Sequence, residues 1–381
     1  ILRVGSTSTS RARGGKLERY GDEAGDETMR HTGGIGIGAV LATFAAASAA
    51  PGQTPIPTRY IADRFFATPV TTEGDTLLLL IDTGGGGVWM IKPVLERLGI
   101  QPKFVTTEEG DSVFTGGKFP RFANGASLPI PLGVPDTTIT GFGTRKTQRK
   151  MGGAEGILGH SWLAERVWVF DYPNEQVSFY EHAPAPQPLG RHTIPMRLKQ
   201  PPVRNDPRIE IMIDGDSVNA LLDTGGTTDL TSDAIDEIGG GPQLRASAFA
   251  AANLWDTWHR RHPSWRVIAC GERGTNADLI EVPRVVIAGY TVGPVWFVKR
   301  PEKAYAGMMT SMMDRPILAA IGGNALKDFR IIMDYPNQRA TFERLGDSAV
   351  ASSRRQSSTS VAHSARNATN GSTRLARLAG R

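Results

Sequence analysis

A single cysteine, Cys270, stands in 381 residues, so no internal disulfide is possible and the fold must rest on packing. Charge of one sign is scarce where it would matter. The formal net charge is +5. Residues 348–381 carry six Arg and no acid, and residues 1–49 six bases against five acids, which leaves residues 50–347 at −2. A near-neutral body without a basic stripe argues against nucleic acid as a partner. No Lys-Ser/Thr follows the glycine run 84–87, which excludes a phosphate loop. The glycines Gly34, Gly36 and Gly38 resemble a dinucleotide loop, but no strand signal precedes them and that reading fails. His259-Arg-Arg-His262 with Cys270 lacks a known ligand spacing, so neither metal nor cofactor is expected.

What is abundant is Gly (44) and Pro (25), which favours a turn-rich, mostly β chain long enough for two compact units. The organising phrase is Leu221-Leu222-Asp223-Thr224-Gly225-Gly226, an apolar run driven into a carboxylate. The same phrase stands upstream as Leu80-Ile81-Asp82-Thr83-Gly84-Gly85. A strand that ends on Asp is costly unless the carboxylate is hydrogen-bonded or shares a proton. A second correspondence follows each turn. Gly159 matches Gly322, Asp171 matches Asp334 and Phe179 matches Phe342, all 163 residues apart, whereas the aspartates are 141 apart. This is an internal repeat whose second copy carries about 22 extra residues, expected mainly within 243–266.

Along the chain, residues 1–28 are expected to lie outside the mature protein, with translation beginning at Met29. Residues 29–49 have the charged start, apolar core and Ala-Ser-Ala close of a signal peptide, so the product is expected to be exported, periplasmic or secreted. An uncleaved anchor is the alternative, but the run is short for a spanning helix, and no stable membrane span is expected in the mature form. The first unit covers 56–183. It is expected to hold a strand over 60–70, another over 76–81, a short helix over 92–98 and an exposed basic loop over 141–151. A linker is expected over 184–188. The second unit covers 189–345, with a hairpin around Asp214-Gly215-Asp216 and a short helix over 232–238. Residues 346–381 form a basic tail without core-forming residues, expected to be disordered.

The two Asp-Thr-Gly turns, with Val88-Trp89 after the first, Glu155-Gly156-Ile157-Leu158-Gly159 in the first copy and Ile321-Gly322-Gly323-Asn324 in the second, resemble the pepsin-like and retropepsin-like aspartic peptidases over most of 56–345. The resemblance implies a mostly β, bilobal, pseudo-two-fold acid-protease fold. Each Asp-Thr-Gly would have one six-stranded-type lobe, with few short helices. It also implies an aspartic endopeptidase with Asp82 and Asp223 as the catalytic pair. Thr83 and Thr224 would cross-link the turns, and Gly84 and Gly225 would present backbone N–H groups to the carboxylates. Two departures stand out. Gly85 and Gly226 occupy the place where pepsins carry Ser or Thr, and no Tyr-Gly flap is found. The nearest flap candidate is Phe114-Thr115-Gly116-Gly117, so Phe114, Gly116 and Gly117 are weak substrate-binding candidates.

Two carboxylates in contact cannot both ionise readily, so one proton is shared. The ionised member can activate a water while the protonated one polarises a carbonyl. Fewer donors to the charged form, with Gly85 and Gly226 in place of hydroxyls, predict activity at milder acidity than pepsin's, unless Thr227 or Thr228 restores a donor. The expected partner is a peptide or protein held extended, and since one chain supplies both carboxylates a monomer suffices. Two rivals remain: a catalytically inactive protease-fold peptide-binding module, and a hydrolase of a non-peptide polymer. Trp255, Trp258 and Trp265 either line the cleft or pack the inserted segment. Gly159-His160-Ser161 lacks the closing glycine of a serine elbow and is placed behind the site by the repeat.

Overall fold

The computed structural model describes residues 52–101, 103–106, 112–123, 128–132, 139–143, 145–181, 190–199 and 205–344. The segments 1–28 and 29–49, the linker and the basic tail fall outside these residues. The described chain is mostly β with few short helices.

Three sheets carry the architecture. The first half builds a six-stranded sheet in the order Thr58–Ile61, Arg64–Ala67, Leu79–Ile81, Gly156–Leu158, Val88–Ile91, Ile139–Gly143. The second half builds a nine-stranded sheet around the equivalent strands Arg208–Ile213, Asp216–Leu222, Ala319–Ile321, Ala248–Ala251 and Val295–Arg300. It exceeds six because Val267–Ile268 and Leu279–Val282 extend one edge and Val285–Ile287 and Tyr290–Val292 the other.

A third sheet of six strands takes elements from both halves. The hairpin Val167–Asp171/Gln176–Tyr180 lies beside the hairpin Phe329–Asp334/Arg339–Arg344. Both hairpins turn on Asp-Tyr-Pro-Asn, and in each the Asp carboxylate accepts from the Asn backbone N–H, Asp171 at 3.2 Å and Asp334 at 3.0 Å. The antiparallel register between them sets Val169 against Ile332. Those residues are 163 apart, the offset of the repeat, so equivalent positions face each other and the pseudo-two-fold axis passes between these strands.

In the first sheet Leu77, Leu79, Leu80 and Ile81 are all buried. The uninterrupted apolar run has this cause: parallel pairing with Gly156–Leu158 leaves the strand covered on both faces. The second copy repeats the parallel pair, with Leu222 beside Ile321 as Ile81 is beside Leu158.

Several sequence expectations meet a different structure. The strand expected over 60–70 is a hairpin, broken at Ala62 and Asp63, both with positive φ. Asp tolerates that conformation but Ala does not signal it. The basic stretch expected as an exposed loop over 141–151 contains the end of a strand and the helix Arg145–Lys150, which stops at Gly152 and Gly153 with positive φ. Arg, Lys and Gln are good helix formers even without an apolar stripe.

The extra residues of the second copy lie earlier than expected. Residues 227–246, which form a strand pair and the helix Ser232–Glu237, separate Gly226 from Ser247, where Gly86 alone separates Gly85 from Gly87. The helix Ala252–Arg261 therefore corresponds to Lys92–Arg97 of the first copy, each following its inner strand. It buries Trp255 and Trp258 in the main core, and Trp265 stacks on His262, so these tryptophans pack the lobe.

Candidate active site

Each Asp-Thr-Gly turn begins one step past the end of a parallel strand pair. The N–H of Asp82 donates to the Leu158 carbonyl at 3.0 Å, and that of Asp223 to the Ile321 carbonyl at 2.9 Å. This fixes the backbone and leaves both side chains free beyond the sheet. Behind each turn a glycine permits the crossing. A Cβ on Gly159 would lie 2.5 Å from the Gly87 carbonyl, and one on Gly322 2.3 Å from that of Ser247, distances no side chain tolerates.

The two turns interlock. Thr83 Oγ1 donates to the Leu222 carbonyl and accepts the Thr224 N–H at 2.9 Å. Thr224 Oγ1 donates to the Ile81 carbonyl at 2.9 Å and accepts the Thr83 N–H at 3.1 Å. Both threonines are fully buried. Four hydrogen bonds thus tie each turn to the strand end of the other half, and the side-chain geometry leaves no slack between the aspartates. A Cβ on Gly225 would stand 2.2 Å from Asp82 Cγ, and one on Gly84 2.8 Å from Asp223 Cγ. Glycine is required at both positions by this approach.

The Asp82 and Asp223 carboxyls are close-set: the Gly84 N–H donates to Asp82 Oδ1 at 2.9 Å, and a Cβ on that same glycine would lie 2.8 Å from Asp223 Oδ1. Each keeps a part-exposed edge while protein encloses the rest. Burial pushes both carboxyls above the usual carboxylate range. For Asp223, the neighbouring charge of Asp82 and their shared hydrogen bond push the same way, so it is held well up; the N–H groups of Gly225 and Gly226 oppose this. For Asp82 the hydrogen bond from Asp223 and the N–H groups of Gly84 and Gly85 pull back down. The Gly84 N–H reaches Asp82 Oδ1 at 2.9 Å, against 3.2 Å from Gly225 to Asp223. This geometry favours the charge on Asp82 and the shared proton on Asp223.

Among the described residues no hydroxyl donates to either aspartate. Thr227 Oγ1 donates to the Gly225 carbonyl and accepts from Arg64, and Thr228 Oγ1 donates to Glu272, so neither restores the donor absent at Gly85 and Gly226. A Cβ on Gly85 would lie 3.0 Å from Asp82 Oδ2, and one on Gly226 3.0 Å from Asp223 Oδ2.

The flap candidate falls elsewhere than expected. Phe114 and Gly116 are inside the strand Ser112–Gly116, where Phe114 pairs with Phe104, and Gly117 bridges Ile139. These positions are the body of a hairpin with the strand Lys103–Thr106, not its tip. Residues 107–111, between the two strands, are outside the described residues. His160 and Ser161 are buried behind the first turn, where the His160 N–H donates to the Gly85 carbonyl. His262 Nε2 lies 2.7 Å from Asp214, in the turn Asp214-Gly215-Asp216, and so partners neither Asp82 nor Asp223.

Sequence reasoning missed Arg64. It is 1% exposed, and its guanidinium crosses to the second half to meet Thr227 Oγ1 at 3.1 Å and the Leu244 carbonyl at 3.2 Å. Tyr305 was also missed. It is buried with Leu221, Phe249 and Ala320 on the Asp223 side, and burial pushes its phenol up. Neither carries a local sequence signal, because each reaches the site through long-range packing.

No protein-family model matches the chain, and no curated protein matches it. Solved structures similar to it include conglutin gamma, a basic 7S globulin from lupine seeds, at 10% identity over 77% of this chain and 95% of that one, with a TM-score of 0.43. An aspartic proteinase from Irpex lacteus is similar at 11% identity over 77% of this chain and 98% of that one, with a TM-score of 0.40. Basic 7S globulin from soybean is similar at 9% identity over 78% and 96%, with a TM-score of 0.39.

Proposed function

We propose that the chain is an exported, monomeric aspartic endopeptidase that hydrolyses a peptide held extended across Asp82 and Asp223. The observation that carries this reading is the close-set carboxyl pair at the meeting of two interlocked turns. Ionised Asp82 takes a proton from a water as its oxygen bonds to the substrate carbonyl carbon. The carboxyl proton of Asp223 passes towards the carbonyl oxygen. In the resulting tetrahedral diol the carbon–nitrogen bond breaks as Asp82 gives its proton to the leaving nitrogen, while a diol hydroxyl reforms the carbonyl and returns its proton to Asp223, so the pair again holds one shared proton. The cross-linked turns hold both groups in place, so no reorganisation is needed at the moment of reaction.

The rival reading is a peptide-binding module that does not turn over, and Gly85 and Gly226, which offer the carboxylates a backbone N–H but no side-chain hydroxyl, are the observation in its favour. Wild type, Asp82→Asn and Asp223→Asn are compared on a denatured-protein substrate, with pepstatin as a probe of the cleft. Turnover lost in both variants supports the dyad. Pepstatin binding by a wild type that cleaves nothing supports the module, and turnover untouched by either substitution removes the dyad.

A further inference from the structure

A cavity of about 450 Å³ begins at Thr227, two residues beyond Gly225. Lys150 from the first half walls it on one side, and Leu244, Glu272, Arg273 and Arg300 from the second half complete it. We propose that this cavity is a subsite for an acidic side chain of the peptide, which makes the protein select Glu or Asp at one fixed distance from the bond cleaved. The inference rests on the peptidase reading and adds to it the class of substrate.

The charges support it when their partners are followed. Glu272 is 4% exposed and saturated, with both guanidinium nitrogens of Arg300 on its carboxylate and the hydroxyls of Thr228 and Thr275 added. That pair neutralises itself. Asp229, also on the wall, accepts from the Gln243 side chain at 2.6 Å. Lys150 and Arg273 make no ion pair among the described residues.

Behind the wall lies Arg64, whose two guanidinium bonds end on Thr227 and Leu244, both lining residues. No carboxylate is ion-paired to it among the described residues, and its Nε has no hydrogen-bond partner. Desolvation lowers its pKa to about 10, which still leaves it cationic in neutral and acid solution. The charge of the neighbouring Asp63 opposes that lowering without forming an ion pair, and a buried cation so weakly compensated is costly. Three cations, Lys150, Arg273 and Arg64, therefore outnumber the two carboxylates near them that form no ion pair among the described residues, Asp229 and Asp63, and an anion in the cavity would relieve the excess. An extended peptide advances about 3.3 Å per residue, so a side chain a few residues from the dyad can enter.

The test uses one peptide in which Glu is moved residue by residue through the cleaved window, each version paired with its Gln counterpart. Assays run at low salt and above about pH 5, where a free Glu of pKa about 4.3 is ionised. The expected result is one position at which Glu raises kcat/KM about tenfold over Gln. That preference should fall below about twofold in Lys150→Gln/Arg273→Gln, with pepstatin affinity unchanged. Both substituted residues are exposed, so the fold is not at stake. Cleavage with no position favouring Glu, or a preference that survives the double substitution, overturns the subsite and leaves the dyad standing. If no peptide is cleaved, the same pairs are titrated onto wild type by fluorescence anisotropy. Tighter binding of one Glu peptide, lost in the double variant, supports the subsite without turnover, and equal binding overturns it.

Discussion

Substituting Gly225 by Ala tests whether the interlocked turns set the carboxyl pair. The added Cβ would lie 2.2 Å from Asp82 Cγ, 2.5 Å from Oδ1 and 2.6 Å from its Cβ. Ordinary contact begins near 3.4 Å, so the turn and the aspartate must part by about 1 Å, and no flexible side-chain end is available to give way. Overpacking of this kind costs about 1–3 kcal/mol of stability. A displacement of that size at reacting groups costs about 100-fold in turnover. Gly86→Ala is the matched control, because its Cβ would meet nothing within 4 Å. Both proteins are assayed for kcat/KM on a denatured-protein substrate, with circular dichroism and a thermal melt to certify the fold. A folded Gly225→Ala protein should lose about 100-fold while Gly86→Ala stays within about twofold. Equal activity of the two alanine variants would refute the close approach on which the proposed chemistry depends.

Thr83→Ser and Thr224→Ser should retain turnover because the hydroxyl is kept, whereas either Ala variant should lose at least about tenfold and melt earlier, a buried carbonyl being left without its donor. Gly85→Ser brings a hydroxyl beside Asp82 Oδ2, and a donor to the charged form lowers its pKa; the acid limb of the pH–rate profile should move to lower pH. Asp223→Asn should be more stable than wild type in neutral solution. A carboxyl held above its unfolded pKa binds more protons folded than unfolded, so wild-type stability is greatest in acid and declines as pH rises towards the folded pKa. Chemical denaturation should show the gap between variant and wild type closing as pH falls to the ordinary carboxylate range, and a gap independent of pH would count against the raised Asp223.

The parts of this fold that were legible in the sequence are those written in short range and written twice. The apolar strand running into Asp82, the hairpin around Asp214-Gly215-Asp216 and the helices Lys92–Arg97 and Ser232–Glu237 each carry an apolar run, a turn residue or a cap within a few positions. Thr231, for example, caps the second helix by accepting the Ala234 N–H. The hairpin at Ala62-Asp63 was not legible, because a positive φ at Ala has no compositional signature and is imposed by contact with the other half. The Ala62 carbonyl accepts from the Ala246 N–H at 2.9 Å across that boundary. The position of the second copy's extra residues was hidden for a related reason. An offset between repeats counts the insertion but does not locate it, and the tryptophans of 255–265 drew attention to the wrong stretch.

The same distinction governs the site. The aspartates and threonines stand next to one another in each phrase, so their pairing follows once the repeat is seen. Arg64 has no phrase. Its repeat-equivalent surroundings differ, since the strand Arg64–Ala67 pairs Phe66 with Leu80 while Arg208–Ile213 pairs Arg208 with Leu221. The equivalent of Phe66 is thus Arg208, and that guanidinium is neutralised by Asp314 at 2.6 and 2.8 Å. The two buried arginines thus occupy non-equivalent positions, Arg208 ion-paired to Asp314 and Arg64 bonded to Thr227 and the Leu244 carbonyl without an ion pair among the described residues. Arg64 lies against the cavity proposed above as a subsite for a peptide side chain. Asymmetry imposed on a symmetric frame is where selectivity for one direction of an extended chain has to originate, because two identical halves would bind it equally well either way round.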